Sequence, residues 1–90
     1  MTTIFKYPLQ IADRQTIEMP IGAQVFSVQV QDGIPCLWAL VDTQAAKVIR
    51  TVYALGTGHD LAHMNGLTTL FISTIQLDGG SLVYHVFLEA

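Results

Sequence analysis

The residues with the clearest capacity for chemistry are two histidines four positions apart, His59 and His63, with Asp60 between them. On a helical turn this spacing puts two imidazoles on one face, where they can bind a metal such as zinc. No third ligand lies nearby in the sequence, and Gly58 and Gly66 on either side indicate an irregular loop. The sequence therefore favours a solvated loop with no metal, and a metal-dependent hydrolase stays as a competing hypothesis.

Other catalytic arrangements find little support. Cys36 lies in a predicted strand that is apolar on both sides, so we interpret it as a packing residue. His85 lies in a strand opposite Thr74, which is typical of a hydrogen-bonded sheet residue. Three carboxylates fall at predicted turns, where aspartate bonds to the local backbone: Asp32, Asp42 and Asp78. We therefore expect a protein that is not an enzyme and has no cofactor.

The segment Gly56-Thr57-Gly58-His59 follows a predicted strand. Glycines let backbone N–H groups approach an anion, and Thr57 and His59 add side-chain donors. The segment lacks the lysine and the following helix of a nucleotide phosphate loop, and two glycines commonly do no more than permit a tight turn. Considered alone, it favours a turn over a phosphate contact.

The chain carries about half the usual share of charged residues. Asp, Glu, Lys and Arg make up 12% of it, against ~25% in soluble domains, while apolar residues make up 51%. This composition excludes intrinsic disorder. The net charge of −3, with four scattered cations, argues against binding to a nucleic acid polymer. So few charges leave apolar surface exposed, and we expect a homo-oligomer that buries it.

No segment fits a membrane helix or a secretory signal. The longest apolar run, Ile34 to Val41, has eight residues and contains Pro35, whereas a membrane helix needs ~20. The first residues lack the apolar core of a secretory signal, and a single cysteine agrees with a reducing compartment. We expect a cytoplasmic protein with no membrane partner.

Val, Ile, Thr and aromatic residues dominate every regular stretch, which favours strands. We predict a mainly β fold, with residues 1–90 as a single domain: an antiparallel β-sandwich or partly open β-barrel of about seven short strands. Helix is limited to a turn near Ala45 or within Asp60–Met64. The predicted strands are Thr3–Tyr7, Thr16–Met19, Val25–Gln31, Ile34–Asp42, Val48–Leu55, Leu67–Leu77 and Leu82–Glu89.

Two hairpins fix most of the predicted pairing. Asp32-Gly33 is a two-residue type I′ turn signal, which pairs Gln31 with Ile34, Val28 with Leu37, Ser27 with Trp38 and Phe26 with Ala39. Phe26, Val28 and Val30 then share the core face. The second hairpin turns at Asp78–Ser81 and pairs Ile75 with Tyr84, Leu77 with Leu82 and Thr74 with His85. Pro8 and Pro20 end the first two strands, which suits edge positions, and a strand from Ile34 that is apolar on both faces suits a central or interface position.

Several stretches resemble a small family of phage and prophage proteins of about 90 residues. The most specific are Leu37-Trp38-Ala39-Leu40-Val41-Asp42 and Gly56-Thr57-Gly58-His59; Lys6-Tyr7-Pro8-Leu9, Ile17-Glu18-Met19-Pro20 and His85-Val86-Phe87 add to them, and the resemblance covers nearly the full chain. It implies a phage-encoded cytoplasmic protein without enzymatic activity. Compact phage proteins of this kind are often inhibitors of host defence, among them oligomeric sponges that sequester cyclic nucleotide immune signals.

With that resemblance, we expect a homo-oligomer that binds a small anionic, nucleotide-like ligand without transforming it. Cations would contact phosphates, aromatic rings would stack on bases, and the glycine segment would supply N–H donors. The candidate ligand-binding residues are Lys6, Tyr7, Arg14, Trp38, Thr57, Gly58 and His59. The alternative is a phage structural or assembly protein, or an inhibitor that binds a protein partner, with no small ligand. Each aromatic residue would serve equally well in packing.

Overall fold

The computed structural model describes all 90 residues, which form seven strands and two single 3₁₀ turns. The turns are Ala62–Met64 and Asp78–Gly80. The first lies inside the segment where the sequence predicts helix. In chain order the strands are β1 Thr2–Pro8, β2 Gln15–Pro20, β3 Gln24–Gln31, β4 Ile34–Asp42, β5 Lys47–Gly56, β6 Thr69–Leu77 and β7 Leu82–Glu89.

The strands form two antiparallel sheets that share one core. The three-stranded sheet has the order β1-β4-β3, and the four-stranded sheet has the order β2-β5-β7-β6. Both sheets contribute side chains to a single apolar cluster, with Leu37 and Val41 from the first and Val52 and Val86 from the second fully buried. The sheets do not close into a barrel, so the mainly β prediction is confirmed in its sandwich form.

The first hairpin has the predicted register near its turn. Asp32 and Gly33 have φ angles of 52° and 78°, as a type I′ turn requires. Pairing then follows the prediction as far as Ser27 opposite Trp38. Beyond that point a β-bulge places Val25, not Phe26, opposite Ala39, and Phe26 is 53% exposed. The prediction that Phe26 shares the core face is wrong, because the extra residue of the bulge shifts every side chain that precedes it.

The second hairpin confirms all three predicted pairs, including Thr74 opposite His85. Asp78, Gly79 and Gly80 have positive φ angles in its turn. The register shifts once, between Phe71 and Ser73, so this strand also has a bulge. The strand begins at Thr69, two residues later than predicted.

The two prolines lie at the free edges of the sheets. In β1 the Leu9 N–H and the Met1 carbonyl both face β4, so the backbone groups of even-numbered residues, Pro8 among them, face outward. In β2 the Ile21 N–H faces β5, which likewise leaves Pro20 facing outward. Neither proline removes a ladder hydrogen bond, as expected for edge strands.

Strand β4 lies between β1 and β3, which explains its two apolar faces. On the outer face Cys36 is buried, while Trp38 and Leu40 are half-buried. The interpretation of Cys36 as a packing residue agrees with its 2% exposure.

Residues 57–68 cross the outside of the four-stranded sheet. β5 ends next to Tyr84 and β6 begins next to Glu89, at opposite ends of β7, so the connection must run back along the sheet. The inner face is occupied by the core, which leaves the outer face for this crossing. On this outer face Tyr53 and Leu55 are 4% and 2% exposed. No helix of this fold is long and apolar enough to cross a membrane.

Candidate functional site

One end of the sandwich collects most of the loops that the sequence singles out. Strand directions place the β1–β2 connection, the Asp32–Gly33 turn, the exit of β5 at Thr57 and the Asp78–Gly80 turn at the same end. We call this end the hairpin end. It brings the loop that contains Arg14 to the same end as the glycine segment.

A shallow pocket of about 210 Å³ opens at the hairpin end. It is formed where the chain leaves β5 and where β7 begins. Two candidate ligand residues, Thr57 and His59, line it. The full lining is Gly56, Thr57, His59, Ser81, Leu82, Val83 and Tyr84.

The imidazole of His59 lies against the backbone of Gly56. A Cβ atom on Gly56 would come within 2.5, 2.7 and 2.8 Å of three ring atoms, which places the ring face over the glycine. The His59 N–H donates to the Gly56 carbonyl at 3.3 Å, so backbone and side chain hold the same turn. Gly56 is required here because of this close approach, and its φ angle is not in the left-handed region.

His85 joins the pocket loop to the sheet. Its Nε2 atom lies 2.7 Å from the Thr57 hydroxyl, and its Nδ1 atom lies 2.9 Å from the Thr74 hydroxyl. A neutral imidazole donates through one nitrogen and accepts through the other, so it can bridge two hydroxyls in either tautomer. His85 is the hydrogen-bonded sheet residue that the sequence predicts, and it also fixes the position of Thr57.

Two of the three backbone N–H groups from Thr57 to His59 donate within the chain, and the third is free. The Thr57 N–H donates to the Val83 carbonyl at 3.3 Å, which closes the loop onto β7. Gly58 has a φ angle of +81°, and its N–H has no hydrogen-bond partner in the chain. No lysine or arginine lines the pocket, so an anion would contact N–H and O–H groups and the His59 ring.

Lys6 and Trp38 come together elsewhere, on the outer face of the three-stranded sheet. They are opposite one another in adjacent strands, and the Lys6 Nζ atom lies 5.7 Å from the Trp38 ring centroid. The same ammonium donates to Gln31 Oε1 at 2.9 Å. This cation–π pair holds the lysine along the sheet surface.

Tyr7 lies on the opposite face of β1 from Lys6. Its side chain is half-buried against the core, and this burial raises the pKa of its phenol above the usual value of 10.0. Arg14 is exposed in the β1–β2 connection. The seven candidate residues therefore form no single surface. The pocket loop and Arg14 lie at the hairpin end, the Lys6–Trp38 pair lies on the outer face of the other sheet, and Tyr7 faces the core.

The structure contains no group of three or more His, Cys, Asp or Glu side chains close enough to coordinate a metal ion. His63 is exposed in the 3₁₀ turn Ala62–Met64, and the Asp60 carboxylate accepts a hydrogen bond from the Ala62 N–H at 3.0 Å.

Gly56 and Ser81 line this pocket but are not among the candidate ligand-binding residues that the sequence predicts. Gly56 gives a usable signal, because a glycine that ends a strand two residues before another glycine suggests a close approach as well as a turn. Ser81 gives none: it lines the pocket only because the β6–β7 turn lies beside the β5 exit, and this depends on the strand order.

The comparisons with known proteins place the chain in a family. No curated protein and no solved structure matches it significantly. One family model matches residues 1–90, described as a domain of unknown function, DUF7352. Because the match covers the whole sequence, the chain belongs to the DUF7352 family.

Proposed function

We propose that this protein is a non-catalytic, homo-oligomeric binding protein that sequesters a small anionic ligand at the hairpin end. The observation that carries the proposal is the pocket between the Gly56–His59 turn and the start of β7, where Thr57 and His59 converge. Its donors are held by the rest of the fold, since His85 fixes the Thr57 hydroxyl and Gly56 fixes the His59 ring. Fixed donors around an open cleft favour binding over covalent chemistry.

The size of the pocket limits what one chain can bind. A volume of about 210 Å³ is below the ~300 to 1,000 Å³ of typical small-molecule sites. It accommodates one part of a nucleotide, such as a phosphate or a base. A whole nucleotide would need further surface, which a second copy of the chain supplies in a homo-oligomer.

The ligand class we propose is a cyclic nucleotide that serves as an immune signal of a bacterial host, bound in the cytoplasm by a phage-encoded protein. The resemblance to small phage proteins supports this choice. The Gly58 N–H and the Thr57 hydroxyl suit phosphate oxygens, and the His59 ring suits stacking on a base. Arg14 would add a cation from the neighbouring connection at the same end.

Native mass spectrometry of the purified protein with cyclic di- and trinucleotides tests the proposal. We expect discrete nucleotide masses on the assembly and unchanged nucleotide released on denaturation. His59→Ala should weaken binding at least tenfold, and His63→Ala, an exposed histidine outside the pocket, should have no effect. Equal binding by both variants would refute the assigned site, and recovery of cleaved nucleotide would refute the non-catalytic proposal.

Arg14 has its own matched control. Lys47 is an exposed cation at the opposite end of the sandwich, where β5 begins. Arg14→Ala should weaken nucleotide binding, and Lys47→Ala should leave it unchanged. If both variants weaken it equally, binding depends on net charge and not on a site at the hairpin end.

A protein partner is the second candidate function, and one observation favours it. Thirteen large apolar side chains are exposed, and exposed apolar patches mark protein-interaction sites. Five of them exceed half exposure within strands: Ile4, Phe26, Ile49, Leu70 and Phe71. If the protein is a phage assembly factor or an inhibitor without a small ligand, the native chain should bind a protein partner and no cyclic nucleotide, and Phe71→Ser should abolish partner binding. Nucleotide binding by the native chain would exclude this candidate.

A further inference from the structure

The free edge of β1 carries a regular row of unpaired backbone groups. The odd-numbered residues bond to β4, as the Leu9 N–H and the Met1 carbonyl demonstrate at the two ends of the strand. The N–H and C=O groups of Thr2, Ile4 and Lys6 therefore all point away from the sheet. A strand edge of this kind is a template for another strand.

The other outer strands have fewer backbone groups available to pair with a further strand. β3 and β6 lie against one another, and the Val28 N–H on the edge of β3 donates to the Ser73 hydroxyl of β6 at 3.0 Å. β2 has only Thr16 and Glu18 with both backbone groups facing outward, since Pro20 follows. β1 is the longest free edge, and its Ile4 side chain is 54% exposed.

We propose that β1 pairs with β1 of a second copy, antiparallel and centred on Ile4, to form a two-fold symmetric dimer. In this register Ile4 faces Ile4 of the second copy, and Thr2 and Lys6 face one another on either side. Three facing pairs then exchange two N–H···O bonds each, and no proline lies within the ladder. The three-stranded sheets join into one six-stranded sheet, and the exposed isoleucines cover one another across the axis.

The charges of β1 and β4 select this register. Thr2 lies between two facing residues: Asp42 of β4 on one side and, in this register, Lys6 of the second copy on the other. Lys6 of one copy and Asp42 of the other therefore share one row across the joined sheet. Lys6 already spans β4 to reach Gln31 at 2.9 Å, and the same length spans β1 of the second copy. Asp42 is 56% exposed, with the Met1 ammonium 3.8 Å away as its ion-pair partner within the chain. A register centred on Phe5 would instead place Lys6 beside Ile4 and Leu40, with no acidic partner.

A proline substitution in β1 can block pairing at this edge without breaking hydrogen bonds within the fold. The Ile4 N–H faces outward, so Ile4→Pro removes no bond to β4, and the chain already tolerates outward-facing prolines at Pro8 and Pro20. Light scattering after size-exclusion chromatography should give a dimer for the native chain and a monomer for Ile4→Pro. Thr16→Pro, the matched change on the β2 edge, should remain dimeric. A monomeric native chain at ~100 μM, or a dimeric Ile4→Pro variant with native circular dichroism, would overturn the proposal.

Two further variants test the register, and they keep the proposal testable if Ile4→Pro does not fold. Ile4→Cys should form an intermolecular disulfide under mild oxidation, because facing strand residues lie ~5.5 Å apart, within disulfide range. The native Cys36 is buried and should not react. Asp42→Asn keeps the acceptor for the Gln44 N–H and should weaken dimerisation about two- to fivefold. Absence of the Ile4→Cys disulfide would exclude this register.

This dimer specifies the interface of the homo-oligomer in the proposed function, and so it rests on that proposal. The tests of the dimer use no nucleotide. A dimer that binds no nucleotide would refute the ligand proposal alone, and a nucleotide-binding assembly unaffected by Ile4→Pro would refute this interface alone.

Discussion

The Ser73 hydroxyl on β6 accepts a hydrogen bond from the Val28 N–H on β3, across the gap between the two sheets, at 3.0 Å. Both strands are outermost in their sheets, and each has a β-bulge within two residues of this contact. The bond satisfies a donor on an edge that has no strand partner, so it closes one side of the sandwich.

We expect Ser73→Ala to lower the free energy of unfolding by about 1 to 3 kcal/mol, because it leaves the part-buried Val28 N–H unsatisfied. Ser27→Ala is the control, since the Ser27 hydroxyl makes no hydrogen bond in the chain, and should change stability by less than about 0.5 kcal/mol. Urea unfolding of both variants measures the difference. Equal effects would mean that the bond contributes nothing to closing the sandwich.

Gly56→Ala should be destabilising by about 1 to 3 kcal/mol, because the new methyl group would overlap the His59 ring. The same change in a His59→Ala background should cost much less, since the ring is gone. A double-mutant cycle on thermal or urea unfolding measures this coupling. If Gly56→Ala costs the same in both backgrounds, the ring does not rest on Gly56 in solution.

Burial raises the pKa of the Tyr7 phenol above 10.0, so the unfolded chain loses this proton at lower pH than the folded chain does. Tyr7 therefore lowers stability as pH rises above the unfolded value, and it has no such effect below it. We expect native stability to fall more steeply above about pH 10 than that of Tyr7→Phe. Urea unfolding at a series of alkaline pH values checks this, and identical slopes would contradict the burial of the phenol.

Truncation of two apolar residues in the first hairpin should change the free energy of unfolding by very different amounts. Leu37 is fully buried in the core, so Leu37→Ala should cost about 2 to 5 kcal/mol. Phe26 is 53% exposed beside the bulge, and Phe26→Ser should change stability by less than about 1 kcal/mol. A large loss of stability for Phe26→Ser would mean that the Phe26 side chain lies in the core, as the register without a bulge predicts.

The parts of the fold that sequence predicts well are those set by local chemistry. The Asp32–Gly33 turn fixes its own φ angles, and the predicted register therefore holds for the five residue pairs nearest the turn. Pro8 and Pro20 identify the free edges correctly, because a missing N–H is tolerated only where no ladder bond is lost.

The remainder depends on contacts between distant segments. A bulge at Phe26 is a one-residue insertion that alternation alone does not reveal, and it lies two residues from the Val28–Ser73 contact between β3 and β6. The same holds for the candidate site. The glycine segment is visible in the sequence, but its contact with Ser81 requires the strand order, and the separation of Tyr7 from Lys6 follows from their opposite faces on β1.

The position of β7 between β5 and β6 constrains the order in which the chain can fold. β1, β3 and β4 are complete once the first 42 residues have been synthesised, so the smaller sheet can form early. The larger sheet cannot, because β5 pairs with β2 and β7 only, and β7 is the last strand to leave the ribosome. Until then the apolar inner face of β5 has no complete sheet around it, which makes the arrival of the β6–β7 hairpin the late, slow event of folding. The backbone groups of Tyr53 face β7, so pulse-labelled hydrogen exchange should accordingly protect the Leu37 amide before the Tyr53 amide.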